Sequence, residues 1–129
     1  MARNKVTEPS SHLKVEEVDG IVVACFMHQP QLAAFDLAKA FDSLLEPVSK
    51  CATRSLVVDL TPILYLDSSS LGEMARLKRK VDEGGGRIAL CHMSESLRGI
   101  LTVILFDKLF DIFADRAAAI AWASSRAGE

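Results

Sequence analysis

The sequence predicts one α/β domain with a mixed sheet of about five strands and about four helices, in the order ββαβαβαβα. Short apolar runs of strand length alternate along the chain with longer segments whose apolar residues recur at helical spacing. Helices between successive strands require crossover connections, so most of the sheet should be parallel and only the N-terminal hairpin antiparallel. At 129 residues, half of them apolar, the chain is long enough to bury a single core.

The N-terminal part predicts a leader followed by the hairpin. Residues 1–11 are polar and are expected to form a flexible leader, and the folded domain is expected to span residues 12–126. Asp19-Gly20 is a tight-turn signal between an alternating strand that begins at Leu13 and an apolar run over residues 21–27. The first strand is therefore expected to be partly solvated and the second to be buried.

The first helix and a central strand follow the hairpin. Apolar residues recur at helical spacing between Gln31 and about Glu46, and Pro47 is expected to end this helix. Residues 55–60 form a short β-branched apolar run, which predicts the strand, and Thr61-Pro62 interrupts it.

A second helix begins after three consecutive serines, and the glycines at 84–86 are expected to end it. Its predicted apolar stripe consists of Leu71, Met74, Leu77 and Val81. Residues 87–93 predict another buried strand, followed by a helix that Ser94 or Ser96 opens. The stripe of that helix is the clearest in the chain: Leu97, Ile100, Leu101, Ile104 and Leu105.

The C-terminal part predicts a short edge strand and a last helix. Residues 109–113 alternate apolar and polar side chains, as an edge strand does. Asp115 is a candidate N-cap for an alanine-rich helix that ends between residues 122 and 125.

Composition limits the classes of partner. A formal net charge of -2 does not suit a nucleic-acid-binding protein, which needs an excess of Lys and Arg. No apolar run approaches the roughly 18 residues of a membrane-spanning helix, so no membrane insertion is expected. Cys25, Cys51 and Cys91 are scattered and include no CxxC pair, which favours a reducing compartment, and we expect a cytoplasmic protein. The sequence leaves the oligomeric state open.

The segment Leu64–Glu73, LYLDSSSLGE, is the best candidate for a site. It follows the central strand and opens a helix, and ligands of open α/β sheets bind at such carboxyl ends of strands. Two capping arrangements are open: Asp67 can cap the helix, or Ser70 and Glu73 can form an S-x-x-E capping box. Either arrangement leaves a hydroxyl unexplained, and a helix N-terminus would stabilise a phosphate attached to it.

The residues give little support to a catalytic, cofactor or metal site. Ser68 and Ser70 stand where a nucleophile elbow has glycines, so Ser69 lacks a G-x-S-x-G context. The histidines are expected to be surface or strand-end residues rather than members of a catalytic triad. Cys91 and His92 should point to opposite faces of a strand, which disfavours a metal site. We therefore expect no enzymatic activity, no cofactor and no metal.

Residues 56–101 resemble the STAS domain over the segment LVVDLTPILYLDSSSLGEMARLKRKVDEGGGRIALCHMSESLRGIL. This family occurs in bacterial anti-sigma factor antagonists, in stressosome proteins and at the cytoplasmic ends of some anion transporters. The resemblance extends from about Leu13 to Trp122, and the predicted element order matches the family's fold. It implies a regulatory protein that binds an anti-sigma factor serine kinase, or another ATPase-type protein, under the control of serine phosphorylation. It leaves open a non-switching subunit of a stressosome-like scaffold or of a lipid-transport ATPase complex.

The family's motif, Asp-Ser-Ser-Gly-Leu-Gly, matches this chain at every position except one. Ser69 matches the serine that a partner kinase phosphorylates, and the resemblance gives supporting roles to Asp67, Ser68 and Ser70. The contacts that it implies with the partner involve Ser69, Leu71, Gly72 and Met74. Ser70 stands where the family usually has glycine, and residues 27–31 lack the acidic residue that often lies near the phosphorylated serine.

Overall fold

Six strands form the sheet within the part of the chain that the structure describes. The computed structural model describes residues 5–10, 13–27, 33–103 and 108–125. The strands are β1 (Lys5–Ser10), β2 (Leu13–Val18), β3 (Ile21–Phe26), β4 (Ser55–Asp59), β5 (Ile88–Cys91) and β6 (Asp111–Phe113). The helices are α1 (Ala34–Lys50), α2 (Ser68–Glu83), α3 (Glu95–Val103) and α4 (Arg116–Ser124).

The strands lie side by side in chain order, with β1 at one edge of the sheet and β6 at the other. Strand β2 pairs antiparallel with both β1 and β3, and the pairs from β3 to β6 are parallel. From β2 onwards, this confirms the predicted order and the mixed sheet with an antiparallel hairpin. Asp19 and Gly20 have φ of 52° and 79°, as the predicted tight turn between β2 and β3 requires.

Strand β1 lies in the segment that the sequence predicts as a flexible leader. Its backbone pairs antiparallel with β2, and the register shifts between Thr7 and Ser10. The shift surrounds Pro9, which has no N–H to donate to a strand ladder. An edge strand is held by backbone hydrogen bonds and needs no apolar alternation, so the sequence KVTEPS gives no strand signal.

The two faces of the sheet carry separate apolar clusters. Helices α1, α2 and α3 pack on one face, and α4 covers the other. On the first face the central strands contribute even-numbered residues: Val22, Ala24, Leu56, Val58 and Leu90. Beneath α4 they contribute odd-numbered residues: Ile21, Val23, Val57, Ala89 and Cys91. The central strands are thus buried on both faces, which explains why their sequences are apolar without alternation.

Helix α1 continues past Pro47, which the sequence predicts as its end. It runs to Lys50, and the Cys51 N–H still donates to the Pro47 carbonyl oxygen at 3.0 Å. A proline within a helix removes one N–H donor and crowds the carbonyl four residues earlier, at a cost of about 3 kcal/mol. Val48 and Cys51, which follow the proline, are 4% and 5% exposed, and burying a valine alone contributes about 1.5–3 kcal/mol, so burial offsets this cost and the helix continues. The predicted start at Gln31 lies outside the described residues.

Helix α3 begins at the first of its two predicted caps. The Ser94 hydroxyl accepts the Leu97 N–H at 3.1 Å, so Ser94 and not Ser96 opens the helix. Leu97 is fully buried, as the predicted stripe requires. Two further residues of that stripe, Ile104 and Leu105, lie outside the described residues.

The end of α2 and the start of α4 follow their predicted signals. Gly85 has φ of 85°, and a Cβ on Gly86 would lie 1.6 Å from the Arg54 carbonyl oxygen, so both positions need glycine. Asp115 caps α4, because its carboxylate accepts the Ala118 N–H at 2.8 Å. Within the described ranges, no helix combines the length and the apolarity that crossing a membrane requires.

Candidate functional site

The segment between β4 and α2 carries the three serines to the carboxyl edge of the parallel strands. Residues 60–67 form a loop, and the Ile63 N–H donates to the Leu60 carbonyl oxygen at 2.9 Å to close a turn. Ile63 and Leu66 are 1% and 3% exposed, so two side chains anchor the loop in the core. This anchored loop places Asp67 immediately before the first turn of α2.

Asp67 is the N-cap of α2. Its Oδ1 accepts the Ser70 N–H at 2.8 Å, and its carboxylate also accepts hydrogen bonds from the Ser70 hydroxyl and the Ser69 N–H. These bonds, with the Ser70 N–H first, hold the pKa of Asp67 below its usual value. The alternative capping box is wrong, because Ser70 is the third residue of the helix and Glu73 instead lies 3.6 Å from Arg76.

The three serines lie in different environments. Ser70 is 0% exposed, so its Cβ and hydroxyl point into the protein. The serine that replaces the expected glycine therefore adds no atom to the surface. Ser68 and Ser69 are exposed in the first turn of α2, and Ser69 remains the predicted phosphate acceptor.

Two of the predicted partner contacts lie in the core. Leu71 and Met74 are 8% and 1% exposed and pack in the cluster beneath α1, α2 and α3. Their apolar spacing is the spacing of a core stripe, so their side chains cannot contact a partner without leaving the core. Gly72 is exposed, and a Cβ placed there would meet no atom within 4 Å. Ser69 and Gly72 are the two predicted contact residues that lie on the surface.

Three exposed apolar side chains around this loop were not anticipated from the sequence. Leu64 and Tyr65 are 52% and 47% exposed, just before Asp67. Phe35, in the first turn of α1, is 73% exposed. The run ILYL resembles the end of a strand, but its two outer residues are buried and its two middle residues face solvent. The available signal was the position of this apolar run after Pro62, in a loop.

Phe35 and Ser69 lie at matching positions on adjacent helices. Arg76 Nη1 lies 3.0 Å from Asp42 Oδ1, and this pair joins α1 to α2. Phe35 precedes Asp42, and Ser69 precedes Arg76, by the same seven residues, which is about two helical turns. Both helices follow a parallel strand and start at its carboxyl end, so the two residues lie at the same end of two neighbouring helices. The exposed residues here form what we call the Ser69 surface: Phe35, Leu64, Tyr65, Ser68, Ser69 and Gly72.

A second polar cluster lies under α4, on the other face of the sheet. Cys25, Asp59 and Cys91 are paired in one row across β3, β4 and β5. Arg116 reaches this row, with its Nη2 3.0 Å from Asp59 Oδ2 and 2.8 Å from Cys25 Sγ. Its Nη1 lies 3.1 Å from Glu16 Oε1. One guanidinium is therefore shared by two carboxylates and a thiol.

His92 completes this cluster and contradicts one prediction. Strand β5 ends at Cys91, and His92 has a left-handed φ of 57°, so the alternation of a strand does not apply to the pair. A ring nitrogen of His92, a carboxylate oxygen of Asp59 and the Cys91 Sγ lie within 4.8 Å of one another. The Nε2 of His92 also accepts the backbone N–H of Arg116 at 3.3 Å. The expected separation of Cys91 and His92 is therefore wrong.

Burial sets the ionisation of this cluster. It raises the pKa of the Cys91 thiol to about 12 and also raises the pKa of the Cys25 thiol. Burial opposes the ionisation of Asp59 as well, but hydrogen bonds from Thr61 and Arg116 hold the pKa of that carboxyl below its usual value. Asp59 is thus an anion beside two neutral thiols, and Arg116 balances its charge.

The fold and the site define a small α/β domain whose central parallel strand leads through an exposed loop into a serine-rich helix N-terminus. The family model of the STAS domain matches residues 12–119. The chain belongs to the STAS-domain family.

Three relatives show what this chain resembles. A STAS-domain-containing protein of Pseudomonas aeruginosa (strain UCBPP-PA14) is 39% identical over 59 residues, which span 46% of this chain and 58% of that protein. An anti-sigma-factor antagonist (STAS) domain protein from Planctomyces limnophilus has a TM-score of 0.73 at 17% identity, covering 87% of this chain and 97% of its own. The anti-sigma factor antagonist SpoIIAA in its unphosphorylated form has a TM-score of 0.63 at 14% identity, covering 92% and 93%. At these identities the structures share the fold.

Proposed function

We propose that this protein is a regulatory binding protein of the anti-sigma factor antagonist type. It binds a kinase-type anti-sigma factor in the cytoplasm through the Ser69 surface, and phosphorylation of Ser69 breaks the complex. The observation that carries this proposal is the difference in environment between two of the serines. Ser69 is exposed at the start of α2, whereas Ser70 is buried and bonded to the cap residue Asp67.

Ser69 can carry a phosphate while the helix start stays intact. The cap uses the N–H groups of Ser69 and Ser70 and the Ser70 hydroxyl, so the Ser69 hydroxyl can be modified without breaking it. The Asp67 carboxylate already occupies the inner donors, so a phosphate on Ser69 projects outward. The partial positive charge of the helix N-terminus favours an anion there.

The phosphate would add negative charge to a surface whose nearest basic residue in the chain, Arg76, already lies beside Asp42 and Glu73. Residues 64–75 contain Asp67 and Glu73 but no Lys or Arg. A phosphoserine carries about -1.5 to -2 charges at pH 7. A partner that covers the exposed side chains of Leu64 and Tyr65 would have to desolvate this group. Repulsion and desolvation together favour release of the partner.

Phosphorylation can be tested by labelling. Incubation with ATP and the kinase-type anti-sigma factor encoded nearest to this gene should place phosphate on Ser69, and Ser69→Ala should abolish the labelling. Ser68→Ala is the matched control, because Ser68 is exposed in the same helical turn and its variant should still be labelled. Labelling that persists in Ser69→Ala would contradict the assignment of the acceptor.

The switch can be tested by binding. Ser69→Asp should weaken the complex at least about tenfold, as a charge placed in a contact surface does. Ser96→Asp is the control, because Ser96 is the exposed second residue of α3, as Ser69 is of α2. Equal binding by the wild type and Ser69→Asp would refute the switch. It would favour a non-switching subunit of a stressosome-like scaffold or of a lipid-transport ATPase complex, with this surface as a permanent dock.

A further inference from the structure

We propose that Asp59, Cys91 and His92 form a binding site for a divalent cation of the Zn²⁺ class. The three residues offer a carboxylate oxygen, a thiolate sulfur and an imidazole nitrogen, and each of these donor types binds Zn²⁺ in proteins. The site lies under α4, across the sheet from the Ser69 surface. It goes beyond the regulatory function proposed above and does not depend on it.

The three donor atoms are close to the separation that a bound ion requires. They lie within 4.8 Å of one another. Tetrahedral Zn²⁺ with bonds of about 2.0–2.3 Å holds its ligand atoms about 3.3–3.8 Å apart. The donor atoms must therefore approach one another by at most about 1.5 Å to bind the ion. A rotamer change of an exposed side chain provides such a movement. His92 is the exposed member, whereas Asp59 and Cys91 are 5% and 0% exposed.

The fixed members of the site are held in position by their surroundings. Asp59 Oδ1 accepts the Thr61 N–H at 3.0 Å and also accepts the Thr61 hydroxyl. This support leaves Oδ2 directed toward the cluster, and hydrogen bonds of this kind orient the carboxylate ligands of metal sites. Cys91 is the last residue of β5, next to Asp59 in the neighbouring strand, so the sheet itself sets their spacing. The exposed His92 leaves an entry path for the ion.

Arg116 is paired with the carboxylate that the ion would bind. Its Nη2 lies 3.0 Å from Asp59 Oδ2, and its backbone N–H donates to His92 Nε2. An ion that binds Asp59 displaces this guanidinium, which keeps its second partner, Glu16, at 3.1 Å. The exchange replaces one positive charge beside the carboxylate by another, while the Cys91 thiol releases its proton on binding the ion. Arg116 is therefore a competitor of the metal.

The backbone at His92 explains how its side chain reaches the cluster. Its φ of 57° is left-handed, a conformation that histidine adopts more often than most residues other than glycine, and it ends the extended backbone of β5. This conformation turns the imidazole away from the alternation of β5 and toward Asp59. Glycine adopts it without strain, so His92→Gly removes the ligand while it preserves the backbone.

Binding can be measured with Zn²⁺ and Co²⁺ alone, on the full chain under reducing conditions. One Co²⁺ per chain should bind with a sulfur-to-cobalt charge-transfer absorption, which Zn²⁺ should abolish by displacement. Cys91→Ala should lose this absorption. Cys51→Ala should retain it, because Cys51 is also buried but lies near Ser55, at the opposite end of β4 from Asp59. Absence of the absorption in the wild type, or its persistence in Cys91→Ala, would overturn the proposal.

Two further variants test the ligand and the competitor. His92→Gly should remain folded by circular dichroism and bind Zn²⁺ at least about tenfold more weakly. Arg116→Gln should bind Zn²⁺ about tenfold more tightly, since the competing charge is gone. Unchanged affinity in His92→Gly would show that the ion binds elsewhere, and unchanged affinity in Arg116→Gln would refute the exchange. Labelling of Ser69 is measured separately, so failure of the metal site leaves the regulatory proposal standing.

Discussion

Replacing Ser70 by glycine should destabilise the fold and leave the Ser69 surface unchanged. The Ser70 hydroxyl is fully buried and donates to the Asp67 carboxylate. Loss of an ordinary hydrogen bond costs about 0.5–1.5 kcal/mol, and this range applies because solvent screens the charge of Asp67. Glycine within a helix costs about 0.5–1 kcal/mol more than alanine. The expected loss in the free energy of unfolding is about 1–2.5 kcal/mol, or a Tm lower by roughly 3–12 °C.

Urea unfolding of the wild type, Ser70→Ala and Ser70→Gly separates these two contributions. Ser70→Ala should lose about 0.5–1.5 kcal/mol with an unchanged m-value, and Ser70→Gly should lose a further 0.5–1 kcal/mol or so. Both variants should bind the partner as the wild type does and accept phosphate on Ser69. A Ser70→Gly protein as stable as the wild type, or one whose partner binding changes, would show that the Ser70 hydroxyl acts at the surface and would refute the burial argument.

Other substitutions test the turn, the surface and the cap. Gly86→Ala should cost at least about 3 kcal/mol in urea unfolding, because its Cβ would lie 1.6 Å from a carbonyl oxygen, whereas Gly72→Ala, with open space around it, should gain about 0.5–1 kcal/mol. Tyr65→Ser should weaken partner binding about tenfold in a titration, and Leu109→Ser, a comparably exposed apolar site before β6, should not. The lowered pKa of Asp67 means that its carboxylate stabilises the fold above the unfolded value of about 4 and that this contribution is lost as the pH falls through the folded pKa. Asp67→Asn should therefore be less stable than the wild type near neutral pH, and this difference should disappear in acid.

Burial on both faces made the central part of the fold readable from the sequence. Residues 21–26 and 56–58 are apolar because the sheet is covered on each side, and the short length of these runs favours strands over helices. Strand β1 gives no such signal, since its pairing uses backbone groups that every residue carries. Pro47 gives a clear signal for a helix end, but the helix continues past it. The local rule about helix ends is outweighed by the burial of Val48, which is a tertiary effect.

The sequence position of the candidate site was predictable, but the directions in which its side chains point were not. The motif contains two overlapping capping signals three residues apart, Asp67 with Ser70 and Ser70 with Glu73. Only the residue at which helical backbone angles begin decides between them, and this decision also determines which hydroxyl is buried. His92 presents the same difficulty, because the alternation rule that separates it from Cys91 fails at one positive φ. The residue type does not reliably predict such a backbone angle.

The Ser69 surface and the proposed cation site both lie at the carboxyl ends of the parallel strands, but on opposite faces of the sheet. This geometry should keep the free energy of binding at one site independent of the other. Asp59 is the nearest link, since it ends β4 and its Oδ1 holds Thr61 at the start of the loop that presents Tyr65. An ion in exchange with Arg116 uses Oδ2 and leaves the Oδ1 contacts in place. It also replaces a positive charge instead of adding one to an empty position, and the sheet separates it from Ser69. Coupling requires a ligand that favours one of two arrangements of a shared element, and the loop has no such difference to respond to. Ser69 phosphorylation and cation binding should therefore be two independent properties of one domain.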